Sequence, residues 1–201
     1  PCMDYKFLEE PMGMFCEEHV NYFTLESLGR LMASAGFVPV DVNFIFGLHE
    51  CLPAGWPAMS TLWKKAEKEA GMLRVPVLDS ALLIRTYLDK NRKELEKLRR
   101  RMDAIPEDER LAVWGTGHHA SMLLANTSLP QKQIVKVYDS DKRKYQYTFH
   151  GLPICGFDQE DIYQKRIDAV LIATYTAQKA IRRILEPFAD VCKIYYLYEI
   201  P

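Results

Sequence analysis

A glycine-rich turn between two short apolar runs places the tightest constraint on how this chain can fold. The run Leu111–Trp114 predicts a buried strand, and the letters GTGHHA, residues 115–120, follow it directly. A helical stretch, residues 121–126, then leads to a second apolar run, Ile134–Tyr138, which ends at Asp139. Strand, glycine turn, helix, strand and acid is the order of a Rossmann-type unit that binds nucleotides.

Each residue type in this turn has a physical reason to be there. Gly115 allows a tight turn, and Gly117 lets backbone N–H groups approach an anion at the positive end of the following helix. His118 and His119 could donate hydrogen bonds to a diphosphate or a sugar hydroxyl. Two alternatives stay open, because fold does not imply function. The unit could bind nothing and use its glycines only for a tight turn, and one of the two histidines could face solvent or the helix cap.

Asp139 has two interpretations at the end of the second run. As the acid of a Rossmann unit, it would accept a hydrogen bond from a ribose hydroxyl. As the first residue of the turn D-S-D-K, it would be a loop aspartate that bonds to its own backbone.

The rest of the C-terminal half continues the alternation of strands and helices. We predict helices over residues 158–163 and 176–185, and strands over residues 169–173 and 193–198. Such alternation predicts an α/β fold with a parallel sheet, here a Rossmann-like domain of four or five strands over residues 107–201. Thr174 and Tyr175 would lie at the carboxyl edge of that sheet, where open α/β sheets bind ligands.

The N-terminal half is less regular. Thr24 is a good N-cap for an apolar-striped helix, and Phe37–Phe46 alternates as a strand does. Residues 58–70 are amphipathic and predict a helix. A long helix should begin at residue 79 or 80 and end near residue 102, with its apolar residues on one seam.

Composition excludes several function classes. The chain has 201 residues and a formal charge of −1, which removes the electrostatic case for nucleic-acid binding. No apolar run approaches the roughly 20 residues of a membrane span. The cysteines are scattered without metal-ligand spacing, so we expect no metal site and a reducing cytoplasm. They are Cys2, Cys16, Cys51, Cys155 and Cys192.

Residues 17–42, EEHVNYFTLESLGRLMASAGFVPVDV, resemble the C-terminal section of class I S-adenosylmethionine-dependent methyltransferases. There, E-H-x-x-Y-F precedes a helix of the form S-L-x-x-L-x-x-x-A-G-F and a strand. The order that follows, a long helix and then a second Rossmann-like domain, resembles the sugar C-methyltransferases, which act on deoxysugars linked to a nucleoside diphosphate. The GTGHHA loop is also similar to that of nucleotide-sugar-binding domains in sugar acyltransferases, with His119 at the matching position.

The resemblance implies a division of the chain and a set of roles. Residues 1–78 would be the end of a methyltransferase domain, residues 79–106 a linking helix, and residues 107–201 the domain that binds a nucleotide-linked sugar. His19 and Glu18 would be catalytic, since C-methylation needs a base that removes a proton next to a carbonyl. The family has a tyrosine where this chain has Cys16.

The segment that binds S-adenosylmethionine in the family has no counterpart in these residues, so we expect that the chain does not methylate alone. It could form a homodimer. One alternative is a non-enzymatic module that binds a nucleotide, a nucleotide-linked sugar or NAD. Another is an interaction scaffold built on the long helix.

Overall fold

The computed structural model describes residues 12, 21–46, 57–66 and 80–199. For residues 44–46, 57, 58, 80 and 83 it describes the backbone and not the side chains. The chain divides into two compact units, residues 1–92 and 93–201. The division falls inside the long helix, and the boundaries expected at residues 78 and 106 stay predictions.

The first unit contains helix α1 (Leu25–Ser34) and a two-stranded antiparallel sheet of β1 (Phe37–Phe46) and β2 (Pro57–Lys65). The predicted N-cap is confirmed, because the Thr24 side chain accepts from Ser27 N at 2.9 Å and Ser27 Oγ accepts from Thr24 N at 2.9 Å. This reciprocal pair is a capping box. Gly36 ends the helix with a φ of +81°, which favours glycine.

The helix predicted over residues 58–70 is wrong where the structure describes that segment. Residues 57–65 pair with β1 along its length, from Phe46↔Pro57 to Phe37↔Lys65. Exposure alternates along β2, with Met59, Thr61 and Trp63 half-buried and the residues between them exposed. Pairing with β1 decides the outcome here, since strand preference depends on cross-strand neighbours more than on the local pattern.

The long helix α2 (Ser80–Asp103) begins and ends as predicted, within one residue. On the predicted seam, Leu98, Met102 and the following Ile105 are each 1% exposed, whereas Leu88 is 46% exposed. The seam is therefore buried at the C-terminal part of the helix.

The second unit is built on a six-stranded sheet in the order β5-β6-β4-β3-β7-β8. Neighbouring strands from β6 to β8 run parallel, and only β5 pairs antiparallel. The α/β class with a mostly parallel, Rossmann-like sheet is therefore confirmed. The strands are β3 (Leu111–Trp114), β4 (Ile134–Tyr138), β5 (Thr148–Phe149), β6 (Leu152–Cys155), β7 (Ala169–Ile172) and β8 (Lys193–Tyr196).

The sheet has one strand more than expected, because β5 and β6 form a hairpin at its edge. His150 and Gly151 make the turn with φ values of 51° and 78°. Two residues with positive φ match the twist of a tight hairpin. Strand β5 has only two residues, so it is too short to show the alternation of apolar and polar residues that predicts a strand.

Three α-helices connect the strands: α3 (His118–Asn126), α4 (Glu160–Tyr163) and α5 (Gln178–Leu185). Short 3₁₀ turns lie at Leu129–Gln131, Lys142–Gln146 and Glu186–Phe188. Strands β3 and β7 are buried on both faces, as parallel strands covered by helices are. One core cluster joins alternate strand residues, among them Trp114, Tyr138 and Ile172, to Ile181 and Leu185 of α5.

A buried carboxylate, that of Asp161, holds the short helix α4 against strand β4. Asp161 is 1% exposed and accepts hydrogen bonds from Tyr138 Oη at 2.7 Å and Arg166 Nη1 at 3.1 Å. Lys136 Nζ lies 3.2 Å from the same carboxylate. Burial raises the pKa of Asp161, but these donors outweigh it, so the pKa lies below its usual range. Asp161 thus ties the crossover between β6 and β7 to β4.

Candidate functional site

The carboxyl ends of the parallel strands bring most of the predicted site residues to one edge of the sheet. Gly115 and Gly117 follow β3, Asp139 follows β4, and Thr174 and Tyr175 come shortly after β7. The chain moves from β3 to β4 and β6 on one side, and then returns to β7 and β8 on the other. The order therefore reverses between β3 and β7, which is where open α/β sheets bind ligands.

Gly115 is required by the backbone and by its neighbours. Its φ is +106°, and its N–H donates to Tyr138 O at 2.8 Å. A Cβ added here would lie 3.2 Å from Ala173 O and 3.4 Å from Thr174 Cβ. The loop after β3 thus packs directly against the end of β7, and a side chain at residue 115 would be both strained by the backbone and crowded by Ala173.

Gly117 has a different role. It is the N-cap of α3 with extended backbone, and no side chain caps this helix end. A Cβ added at Gly117 would have no heavy atom within 4 Å. Helix α3 begins at His118, three residues earlier than predicted, so its first backbone N–H groups open directly from the glycine turn. These groups form the positive end of the helix dipole.

Asp139 is 8% exposed and holds the glycine loop in place. Its Oδ2 accepts from Thr116 N at 3.0 Å, Thr116 Oγ1 at 2.6 Å and Lys144 Nζ at 2.8 Å. Its Oδ1 accepts from Asp141 N at 2.9 Å. Burial raises the pKa of Asp139, but the Lys144, Thr116 and Asp141 donors outweigh it and hold the pKa below its usual range.

This geometry bears on both interpretations of Asp139, as a ribose acceptor and as a loop aspartate. The bond from Asp141 N is the turn contact of a loop aspartate. A ribose hydroxyl would have to share a carboxylate that already accepts four donors, so the ribose contact stays a prediction. Thr116 and Lys144 were missed by the sequence reasoning. Thr116 lies inside the glycine fingerprint, and Lys144 belongs to the basic run of residues 142–144, which matches no motif.

His119 lies inside an aromatic cluster at the same edge. It is 7% exposed, and its Nδ1 lies 2.6 Å from Tyr198 Oη. Its ring centroid is 5.4 Å from that of Tyr198 and 6.3 Å from that of Tyr175. His118, next in the chain, is exposed. The structure therefore brings His119 and Tyr175 together, and adds Tyr198, which sequence reasoning assigned only to the last strand.

Tyr198 is held through its main chain. Gln178, 5% exposed, donates from Nε2 to Tyr198 O at 2.6 Å and accepts at Oε1 from Tyr198 N at 3.2 Å. Arg101 donates to Tyr196 O at 3.3 Å and to Leu197 O. Strand β8 ends at Tyr196, two residues before the predicted end, because the segment then bonds to these side chains.

The predicted catalytic pair, Glu18 and His19, lies outside the described residues, and so does Cys16. Among the residues that the structure describes, no group of three or more His, Cys, Asp or Glu could hold a metal ion. Within the same ranges, none of the helices combines the length and apolar character that crossing a membrane demands.

A cleft of about 590 Å³ opens at the opposite, amino edge of the sheet. Two ion pairs border it. Arg110 makes a bidentate bond to Asp168, with distances of 2.9 and 2.6 Å, and Lys193 Nζ bonds to Glu109. The carboxyl edge is the better candidate for a ligand site, because strand order and loop geometry converge there, whereas the charged groups of these two pairs already bond to one another.

A family model described as C2185-like, N-terminal, matches residues 107–193. The match covers the second unit from just before β3 to the first residue of β8 and includes the glycine loop. A search of curated proteins finds no match. The chain is thus similar to this family over its Rossmann-like part.

Proposed function

We propose that the second unit binds a nucleotide-linked sugar at the carboxyl edge of its sheet, with the diphosphate against the glycine loop. The observation that carries this proposal is the open turn at Gly117, placed at the switch point between β3 and β7. The backbone N–H groups of α3 supply donors for an anion there. His119, Tyr175 and Thr174 lie at the same edge, where the sugar or the base would extend.

Within this proposal, the chain is the C-terminal, substrate-binding portion of an S-adenosylmethionine-dependent methyltransferase. Support for this part comes from the resemblance of residues 17–42, and S-adenosylmethionine is the implied methyl donor. In the intact enzyme, the resemblance implies proton abstraction by His19 and Glu18, and remote binding energy from the nucleotide would favour the reaction. We further propose a cytoplasmic location, which the scattered cysteines support.

Calorimetric titration of the chain tests the proposal directly. We expect binding of UDP and of a deoxythymidine-diphosphate-linked deoxysugar, and no binding of S-adenosylmethionine at micromolar concentration. Absence of binding by every nucleotide, with the chain folded, would refute the proposed site. Micromolar binding of S-adenosylmethionine would instead contradict the expected division of the methyltransferase.

A matched pair of variants at Gly117 locates the site. Gly117→Asn and Gly117→Asp both supply an N-cap side chain that helix α3 lacks, so both should leave the fold intact. Only aspartate adds a negative charge where the diphosphate would lie. We expect Gly117→Asp to weaken UDP binding at least about tenfold more than Gly117→Asn does, from one close like charge. Equal affinities would place the diphosphate elsewhere.

A second candidate function is a non-enzymatic module that binds NAD. It is favoured by the position of Asp139 at the end of β4, where dinucleotide-binding folds carry their ribose acceptor. Loss of NAD binding in Asp139→Ala would not identify that role, because Thr116 would lose its acceptor at the same time. Titration of NAD against UDP on the unaltered chain is the sharper comparison, and tighter NAD binding would favour the module.

A further inference from the structure

Lys144 lies next to the glycine loop because it shares an acceptor with it. Its Nζ donates to Asp139 Oδ2 at 2.8 Å, and the same oxygen accepts the N–H and the hydroxyl of Thr116. A cation twenty-seven residues from Gly117 in the chain is thereby brought to the loop that the diphosphate would contact.

The turn that carries Lys144 is held in place by several bonds. Lys144 N donates to Asp141 O at 3.0 Å, and Asp141 Oδ1 accepts from Arg143 N at 3.0 Å. Tyr145 Oη donates to Asp139 O at 3.1 Å. The ammonium is therefore positioned before any ligand arrives, which lowers the entropy that binding would cost.

The Lys144 ammonium keeps donor capacity for a ligand. It has three N–H donors, and within the described part of the chain the structure gives it one acceptor, Asp139. Its side chain is 36% exposed, so solvent or a ligand can reach it. By contrast, Arg143 in the same turn directs its Nε and Nη2 to the carboxylate of Asp141.

The charge balance also requires a cation here if an anion is to bind. The Asp139 carboxylate bonds directly to the glycine loop, and alone it would repel a phosphate at Gly117. Lys144 neutralises that carboxylate and adds donors of its own. Thr116 and Asp141 already donate to both carboxylate oxygens, so neither oxygen depends on Lys144 for its one hydrogen bond.

We infer that Lys144 binds the diphosphate of the ligand together with the backbone N–H groups of the glycine loop, and that Asp139 positions it. This inference rests on the proposed nucleotide site and adds to it a preference for ligands that carry a diphosphate over nucleosides that carry none. Lys144 is a binding residue in this scheme, and Asp139 a positioning residue.

The test compares charge-removing and charge-retaining variants of the full chain by calorimetry. The probes are inorganic diphosphate, UDP and uridine. Lys144→Gln should weaken binding of the two anions about tenfold, the loss of one charge-assisted hydrogen bond, while Lys144→Arg stays within about threefold of the unaltered chain. Uridine binding should not distinguish the variants.

Two matched controls remove the same charge elsewhere. Lys142→Gln changes an exposed lysine of the same turn, and Lys165→Gln changes one at the amino-edge cleft. Each should alter diphosphate affinity less than about twofold, since an exposed charge that makes no direct bond to the ligand contributes little. If Lys142→Gln weakens binding as much as Lys144→Gln, overall charge explains the effect and the inference is overturned.

Failure of the inference and failure of the proposed function give different results. If the unaltered chain binds neither diphosphate nor UDP, the proposed site itself is wrong. If it binds them and Lys144→Gln binds equally well, only the role of Lys144 is refuted.

Should Lys144→Gln not fold, chemical acetylation of the unaltered chain replaces that variant. Diphosphate should protect Lys144 from acetic anhydride and leave Lys142 and Lys165 unprotected, as measured by mass spectrometry. Equal labelling of Lys144 with and without diphosphate would refute the inference.

Discussion

Replacing each loop glycine by alanine should separate a glycine that the fold needs from one that it does not. We predict that Gly115→Ala strongly destabilises the second unit, whereas Gly117→Ala leaves its stability almost unchanged. Both residues belong to the same fingerprint, so the sequence pattern alone does not distinguish them.

The difference in free energy follows from the local geometry. At Gly115, a φ of +106° costs a residue with a side chain about 1–3 kcal/mol. The added Cβ would also lie 3.2 Å from Ala173 O, and forcing atoms into such a packed place costs about 1–3 kcal/mol more. We therefore expect Gly115→Ala to lower the free energy of unfolding by about 2–6 kcal/mol.

At Gly117 the two effects of alanine nearly cancel. Its φ of −89° is open to any residue, and a Cβ would meet no atom within 4 Å. Alanine restricts the unfolded chain, which stabilises by about 0.4–1 kcal/mol, but it is a poorer N-cap than glycine by a similar amount. The net change should stay within about 1 kcal/mol.

Hydrogen exchange in increasing urea, read by mass spectrometry on peptides from β3 and β7, measures the stability of the second unit without interference from the first. The midpoint for Gly115→Ala should fall well below that of the unaltered chain, and the midpoint for Gly117→Ala should coincide with it. Equal shifts in the two variants would show that the contact between Gly115 and Ala173 does not constrain the loop.

Three further predictions concern buried and charged groups. Asp161→Ala should lower the free energy of unfolding by about 1–3 kcal/mol in the same assay, since it leaves the buried Tyr138 hydroxyl unpaired, while exposed Glu160→Ala should change it by less than about 1 kcal/mol. The Arg110 guanidinium holds the pKa of Asp168 below its usual range, as the bonds to Asp161 do for that carboxyl. On acidification the unfolded chain therefore binds protons first, so the stability that these two carboxyls contribute is present above about pH 4 and is lost as the pH falls further; urea midpoints that are level between pH 4 and 2 would contradict this. Burial, followed by nearby Asp168 and Glu109, raises the pKa of Cys192 to about 11, so iodoacetamide at pH 8 should label Cys192 only after unfolding, which peptide mass spectrometry can check.

The parallel sheet was predictable because its signals are local. The runs at 111–114, 134–138 and 169–173 are short, mostly apolar and bounded by turn residues. Strands β3 and β7 are buried throughout, as strands between helices are, and β4 is buried at Val137 and Tyr138. Residues 57–65 misled the prediction for the opposite reason. Their strand character comes from pairing with β1, and an amphipathic pattern cannot reveal a partner strand.

The site was predictable as a place but not as a set of contacts. The carboxyl ends of the strands meet at one edge by topology, so Gly115, Asp139 and Thr174 could be assigned to it. The bond between His119 and Tyr198 joins residues 79 positions apart, and Thr116 is 23 positions from Asp139. Such contacts depend on the tertiary arrangement of the loops at the edge of the sheet, and the helix and strand periodicities of the sequence do not predict them.

The bonds between Gln178 and Tyr198 have a consequence for how sequences of this kind can diverge. Both bonds reach the main chain of Tyr198, so they place no demand on the side chain at that position. At residue 178, by contrast, one side chain must both donate to the carbonyl and accept from the N–H of Tyr198. Glutamate lacks the donor, and asparagine is one methylene too short. Among relatives of this chain, residue 178 should therefore vary less than residue 198 as far as this contact is concerned. In relatives that lack glutamine at this position, the segment after β8 should also differ in conformation.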